Sequence, residues 1–212
     1  GGIDPYSASK AATELAVWSW EKSFCGVGEH QNSNIKITTA RAGNVLGGGD
    51  WSEERIVPDL IRCLSKKVPL QVRNPTSVRP WQHVLEPLSG YLLLAKKLYL
   101  EEERVEGPFN FGPSITSNVP VSKLVDESLK QWQGSWENKY NEKEPHEATL
   151  LHLQTDKAWS RLGWSPRWNL EETIAKTINW YLKHHNGRSA LECCMEDLES
   201  YINELEKINP NP

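Results

Sequence analysis

Two residues near the start of the chain have the types and spacing of a proton-transfer pair. Tyr6 and Lys10 lie four residues apart in the stretch "DPYSASK". On a helix that spacing stacks both side chains on one face. A lysine ammonium beside a phenol favours the phenolate, which turns the phenol into a base. A Tyr–Lys pair at this spacing arises by chance in roughly a third of chains this long at average composition, so context has to decide. Asp4 is a capping residue and Pro5 suits a first helical turn. The pair therefore falls in the opening turns of a helix predicted from Tyr6 to Phe24. The competing reading is a capped helix that happens to hold both residues.

Three further stretches could carry chemistry. "RAGNVLGGGDW", Arg41 to Trp51, follows a predicted buried strand that starts at Ile35. Asn44 then sits at the C-terminal end of a strand, where α/β proteins bind ligands. The run Gly47-Gly48-Gly49 permits close approach of a phosphate, but it is neither GxGxxG nor a P-loop. A glycine-rich turn with Asn44 as turn former fits the same letters. The arginines Arg41, Arg55, Arg73, Arg79 and Arg167 read singly as solvated charges. Arg79 is the exception, because Pro80 and Trp81 fix the backbone beside it between a predicted strand and a helix. A guanidinium held there suits bidentate contact with a phosphate. Last, His146 and Glu147 follow Pro145 in a charged loop, readable as a polar ligand contact or as plain surface. No second ligand lies at a helical or hairpin spacing from His146, so no metal site is expected.

Bulk properties bound what these residues can belong to. The chain has 212 residues, enough for one sizeable domain or two small ones, with 38% hydrophobic and 25% charged residues. Ten tryptophans can supply much of a core's buried area. A net charge of −4 argues against broad nucleic-acid binding. Four cysteines without a CxxC pair read as free thiols of a reducing, cytoplasmic compartment. The longest apolar run, "YLLLA", is too short for a membrane span, and no signal peptide is visible. Predicted helices in "ERIVPDLIRCLSKK", "HVLEPLSGYLLLAKKLYLEEE", "VPVSKLVDESLKQW", "TDKAWSRLGW", "NLEETIAKTINWYLKHH" and the acidic tail alternate with short strands in "PLQVR", "GPFNFGP" and "SWENK". That alternation points to an α/β protein with parallel pairing.

In order, "YSASK", "RAGNVLG", "RIVP", "RPWQHVLE", "FNFG" and "LGWSP" resemble the motif series of the extended short-chain dehydrogenase/reductase superfamily, in its nucleotide-sugar-modifying branch. The resemblance covers essentially the whole chain. The longer strings "RAGNVLGGGDW", "RIVPD" and "RPWQHVLEPLSGYLLLAKKLY" are similar to the dehydratases of that branch that act on CDP-glucose. It implies the C-terminal part of an NAD(P)-binding Rossmann-like fold plus a small, mostly helical substrate-binding domain. The implied segments are 1–52 (remainder of the Rossmann-like domain), 53–82 (a substrate-domain segment), 83–113 (return to the Rossmann-like domain) and 114–212 (C-terminal substrate-binding domain). The implied cofactor is NAD and the implied substrate CDP-glucose. Tyr6 would be the catalytic base and Lys10 its activator, both also touching NAD, with Ala42 and Gly43 lining the cofactor side. Asn44, Arg55, Arg79, Asn110 and His146 would bind the substrate. Family members pair through the YxxxK helix, so a homo-oligomer formed through the N-terminal helix is expected.

The family's dinucleotide-binding glycine turn and its Thr-Asp-(Glu/Lys) strand end precede YxxxK, and neither occurs within these 212 residues. The resemblance therefore implies that this chain is a C-terminal fragment, inactive by itself. An epimerase or reductase of the same superfamily, or a non-catalytic nucleotide-sugar-binding remnant, are the alternatives.

Overall fold

The computed structural model describes residues 4–25, 35–100, 105–140 and 151–208. Seven α-helices and seven short strands occur among them, and they divide between two compact units. The protein is α/β, as the alternation of its sequence predicts.

The first unit comprises 1–41, 90–111 and 155–164. It opens with helix α1 (Pro5–Phe24), started as its residue types predict. The Ser7 amide donates to Asp4 Oδ1 at 3.0 Å, and the Ser7 hydroxyl donates to Asp4 Oδ2 at 2.5 Å. The half-buried positions of α1 include Ser7, Ala11, Glu14, Val17 and Glu21, whereas Leu15, Trp18, Trp20 and Phe24 are exposed. The helix thus packs on its more polar side and turns its large apolar residues outward, the reverse of an ordinary amphipathic helix. Strand β1 (Ala40–Ala42) pairs with strand β5 (Phe109–Phe111), and the Phe109 amide donates to Thr39 O at 2.9 Å. The expectation of a buried strand from Ile35 is corrected here: β1 is three residues long, and its side chains are exposed or half-buried. The core of this unit lies instead around Leu94, Val105, Phe109, Phe111, Ala158, Leu162 and Trp164. Helix α5 (Asp156–Leu162) supplies two of these residues. Phe111 meets Tyr91 and Trp164 edge-on, with ring centroids 5.4 and 5.0 Å away.

The second unit comprises 42–89, 112–154 and 165–212. Helix α2 (Ile56–Lys66) tolerates Pro58 because the proline sits in its first turn, where no intrahelical donor is needed. Its buried face, Val57, Leu60, Ile61 and Leu64, shares one core with Ile174, Ile178 and Tyr181 of helix α6 (Leu170–His185). Strand β3 (Leu70–Val72) runs parallel to strand β7 (Trp136–Asn138). The principal sheet has the order β2 (Asn44–Leu46), β4 (Val78–His83), β6 (Asn118–Pro120). Strand β4 is parallel to β2 and antiparallel to β6. Helices α4 (Val121–Gln131) and α7 (Ala190–Ile208) complete this unit. Helix α3 (Leu85–Tyr99) starts here and ends in the first unit.

None of the three strands of the principal sheet was expected from the sequence: β2 falls in the predicted glycine-rich turn, β4 in the connection before a predicted helix, and β6 at the start of the predicted helix that opens at Val119. Their letters hide them. Strand β4 buries Arg79, Gln82 and His83 beside Trp81, so apolar and polar residues do not alternate. Pro80 lies inside β4, which argues against a central strand. The register removes the conflict: β6 pairs with Val78 to Pro80 and β2 with Trp81 to His83, so each half of β4 has a partner on one side only.

Candidate active site

In the first unit, α1 brings the predicted pair together. Lys10 Nζ lies 5.6 Å from the centre of the Tyr6 ring, within cation–π range, and Tyr6 is 72% exposed. The two serines between them serve the backbone. The Ser9 hydroxyl donates to Tyr6 O at 2.7 Å, and Ser7 is engaged with Asp4. Those bonds hold the Asp4 carboxyl below its ordinary range, with the Ser7 hydroxyl as the largest cause.

Two turns beyond Tyr6, Glu14 accepts from Thr39 Oγ1 at 2.8 Å and from Arg41 Nε at 2.7 Å. The Arg41 guanidinium holds the Glu14 carboxyl below its ordinary range, and the carboxylate raises Arg41 in return. Arg41 Nη1 also donates to Asn110 Oδ1 at 3.5 Å. Arg41, read from the sequence as a surface charge, thus ties α1 to β1 and to Asn110 on β5. The i, i+4, i+8 spacing of Tyr6, Lys10 and Glu14 is the signal that links Glu14 to the pair.

In the second unit, Asn44 and Arg79 share one face of the principal sheet. Asn44 stands opposite Trp81 in the parallel register, and Arg79 is two residues before Trp81 on the same strand. Cross-strand partners and i, i+2 neighbours point to the same side of a sheet. Arg79 is 8% exposed, with Nη1 donating to Val78 O at 2.9 Å. The guanidinium is therefore largely desolvated, a setting in which an anion gains more from it than in water. Ala42, Gly43 and Asn44 are half-buried. Gly43 has no room for a side chain, since a Cβ there would stand 2.9 Å from Pro80 Cγ. Arg55 is exposed and occupies the N-cap of α2 without a side-chain cap bond. His146 lies outside the described residues.

The glycine run has a structural job. A Cβ on Gly48 would stand 2.0 Å from Trp180 Cδ2. The Tyr181 hydroxyl donates to Asp50 O at 2.7 Å and reaches Gly47 O at 3.3 Å, and burial pushes its pKa up to about 12. The run is a turn laid against the indole of α6, whereas Asn44, expected as the turn former on that reading, stands in strand β2.

A buried carboxylate missed by sequence reasoning holds the junction that follows Arg79. Glu86, in the first turn of α3, has no exposed surface. It accepts from the Trp168 amide at 2.7 Å, from the Arg167 amide at 3.0 Å and from the Tyr201 hydroxyl at 2.7 Å. Burial pushes its pKa up, while the bonds from Trp168, Tyr201 and Arg167 pull it down. His83 stands beside this network, edge-on to Trp168 at 4.8 Å. Its Nδ1 accepts from the Leu85 amide at 3.3 Å, and its buried Nε2 has no hydrogen-bond partner. Burial, assisted by the Lys176 charge, lowers its pKa to about 4, so the ring is neutral at physiological pH. An acid in a first helical turn reads as a partner of the helix dipole, and nothing in its letters signals burial. Among the described residues no group of three or more His, Cys, Asp or Glu could hold a metal.

The chain is 39% identical over 204 residues to CDP-glucose 4,6-dehydratase of Salmonella typhimurium, covering 95% of this chain and 56% of that protein. It is 26% identical to dTDP-glucose 4,6-dehydratase of Haemophilus influenzae, covering 84% of this chain and 52% of that protein. The chain therefore spans about half the length of these relatives. Among solved structures, dTDP-glucose 4,6-dehydratase of Bacillus anthracis in complex with NAD superposes with a TM-score of 0.68 at 18% identity, over 88% of this chain and 55% of that one. A UDP-galactose 4-epimerase superposes with a TM-score of 0.66 at 18% identity, over 87% of this chain and 55% of that one. These likenesses establish the Rossmann-like dehydratase/epimerase fold. Residues 2–110, half of the sequence, match the family described as NAD dependent epimerase/dehydratase family, and the chain belongs to it.

Proposed function

We propose that the protein acts on a nucleotide sugar as a CDP-glucose 4,6-dehydratase. The observation that carries this reading is the common face of Asn44 and the desolvated Arg79 on paired strands. An amide and a guanidinium so placed suit a diphosphate, because the guanidinium fork matches phosphate oxygens. The relative named CDP-glucose 4,6-dehydratase supports the choice of nucleotide sugar. Arg55 adds positive charge for the diphosphate, and Asn110 and His146 are assigned to the nucleotide. The first unit is assigned to the Rossmann-like domain and most of the second to the substrate domain.

Tyr6, acting as its phenolate, takes the proton from the sugar O4 hydroxyl as the hydride leaves C4, and the Lys10 ammonium favours that phenolate before the transfer. NAD, when bound, supplies the acceptor for the hydride from sugar C4. The Tyr6–Lys10 pair fits the nicotinamide-ribose end of that cofactor, and Ala42 and Gly43 are also assigned to the cofactor. The run Gly47–Gly49 does not fit its pyrophosphate, because Trp180 occupies the space against Gly48. The exposed Leu15, Trp18, Trp20 and Phe24 of α1 support pairing with the same helix of a second copy. Four free thiols fit a reducing, cytoplasmic setting.

Calorimetric titration of the 212-residue chain with CDP-glucose tests the reading. Saturable binding, competed by CDP and weaker for dTDP-glucose, is expected, and absence of binding contradicts it. No GxGxxG occurs in the 212 residues, so the same chain mixed with NAD and CDP-glucose is expected to form no keto sugar. Its accumulation in an NMR time course would contradict the expectation that these 212 residues are inactive by themselves.

A further inference from the structure

Helix α7 buries one side and presents a second, unrelated apolar stripe on the other. Its inward side holds Cys193 and Tyr201, each 2% exposed. Its outward side carries Leu191, Met195, Leu198 and Ile202, which are 72%, 45%, 39% and 42% exposed, followed by the half-buried Leu205. These five positions are spaced four, three, four and three residues apart, the repeat of a coiled-coil seam. On a helix of 3.6 residues per turn the stripe is centred about 120° from the buried side. A helix that only covered its own core would show charge there instead.

The flanks of the stripe differ. One flank, through Cys194 and Tyr201, faces the body of the unit. There Trp180 Nε1 donates to Cys194 Sγ at 3.4 Å, and the Tyr201 hydroxyl donates to Glu86 Oε2 at 2.7 Å. The other flank is a rail of Glu192, Glu199 and Glu206, seven residues apart and all exposed. Glu192 also closes the helix start, accepting from the Ser189 amide at 3.1 Å and from its hydroxyl at 2.7 Å. A helix entering this seam therefore meets apolar side chains with carboxylates along the open edge.

We infer that α7 is a docking strip for a partner helix with an apolar stripe at three-four spacing flanked by lysine or arginine. Charge selects this occupant. A second copy of α7 laid antiparallel would set Glu199 against its own counterpart and Glu192 against the other copy's Glu206. Such like-charge contacts along a seam discourage pairing.

Fluorescence anisotropy with two labelled probe helices tests the inference. Both are three-heptad peptides with leucine at the seam positions, one flanked by lysine and the other by glutamate. The lysine probe is expected to bind the full chain at least about tenfold more tightly than the glutamate probe, a difference of roughly 1.4 kcal/mol. Its affinity is expected to fall by a similar factor in the double variant Leu198→Glu, Ile202→Glu, with an unchanged melting temperature because both side chains are exposed. Absence of binding by the lysine probe, equal binding of the two probes, or binding indifferent to the substitutions overturns the inference. So does a concentration-dependent dimer of the unliganded chain that the two substitutions abolish, since a second copy would then fill the seam.

Discussion

Glu14 and Glu86 each anchor an element that carries a candidate site residue, and they do so in opposite settings. Glu14 ties the helix of Tyr6 and Lys10 to β1 through Thr39 and Arg41, with its side chain 30% and that of Arg41 42% exposed. Glu86 ties the β4–α3 junction, which follows Arg79, to the turn before α6 and to α7, with no exposed surface. Water screens the first pair, and such ion pairs contribute about 0–1 kcal/mol. The second carboxylate is itself fully buried and takes bonds from two backbone amides and a buried tyrosine hydroxyl. The comparison teaches that the strand bearing Arg79 is fixed as the protein folds, whereas the helix bearing Tyr6 is held lightly.

Substitutions order this contrast by size. Glu86→Ala leaves two backbone amides without their acceptor and the Tyr201 hydroxyl with Ser89 Oγ at 3.0 Å as its remaining partner, at a cost of about 3–5 kcal/mol. Urea denaturation measures it, and a loss below about 1 kcal/mol would remove the distinction between the two carboxylates.

Next comes the pH dependence of His83. Its folded pKa of about 4 lies below the ordinary histidine value of 6.5, so between those values the unfolded chain binds the extra proton. The stability of the neutral buried ring is complete above about pH 6.5 and is lost as pH falls toward 4, by up to roughly 3 kcal/mol. Asp197, whose pKa burial pushes up to about 6, titrates in the same window with the opposite sign. The measurement is therefore the difference between the parent and His83→Phe. The variant is expected to be less sensitive to acid, and parallel stability–pH curves would refute the assignment.

Gly48→Ala forces a methyl into the Trp180 ring and is expected to cost about 1–3 kcal/mol, read as a lower thermal midpoint. An unchanged midpoint would mean that the glycine turn is not held against α6. The smallest effect belongs to Glu14→Gln, below about 1 kcal/mol and shrinking further at high salt. A loss comparable to that of Glu86→Ala would show α1 to be as firmly seated as β4.

The same contrast separates what was legible in the sequence from what was not. The helices were readable because caps and breakers sit where the chain needs them, as with Asp4 and Pro5 of α1 and with Pro58 in the first turn of α2. The principal sheet was not, because β4 buries Arg79, Gln82 and His83 alongside Trp81 and contains a proline. Those polar residues are accommodated by partners distant in the sequence, such as Trp168 edge-on to His83, and a local window cannot see them. At the candidate site, the spacing of Tyr6 and Lys10 was visible at once. The face shared by Asn44 and Arg79 required the register of β2 on β4. Glu86 was marked only as the last residue of "RPWQHVLE", and its buried role was not legible, because its three donors come from residues about eighty or more positions away.

The central claim is that Arg79 and Asn44 together hold the diphosphate of a nucleotide sugar. Its most direct test is calorimetric titration of CDP-glucose against the parent chain, Arg79→Lys and Asn44→Ala, each first checked for an unchanged melting temperature. Lysine keeps the charge but lacks the planar fork. The account predicts affinity lowered by at least about tenfold in each variant, whereas parental affinity in both would contradict it.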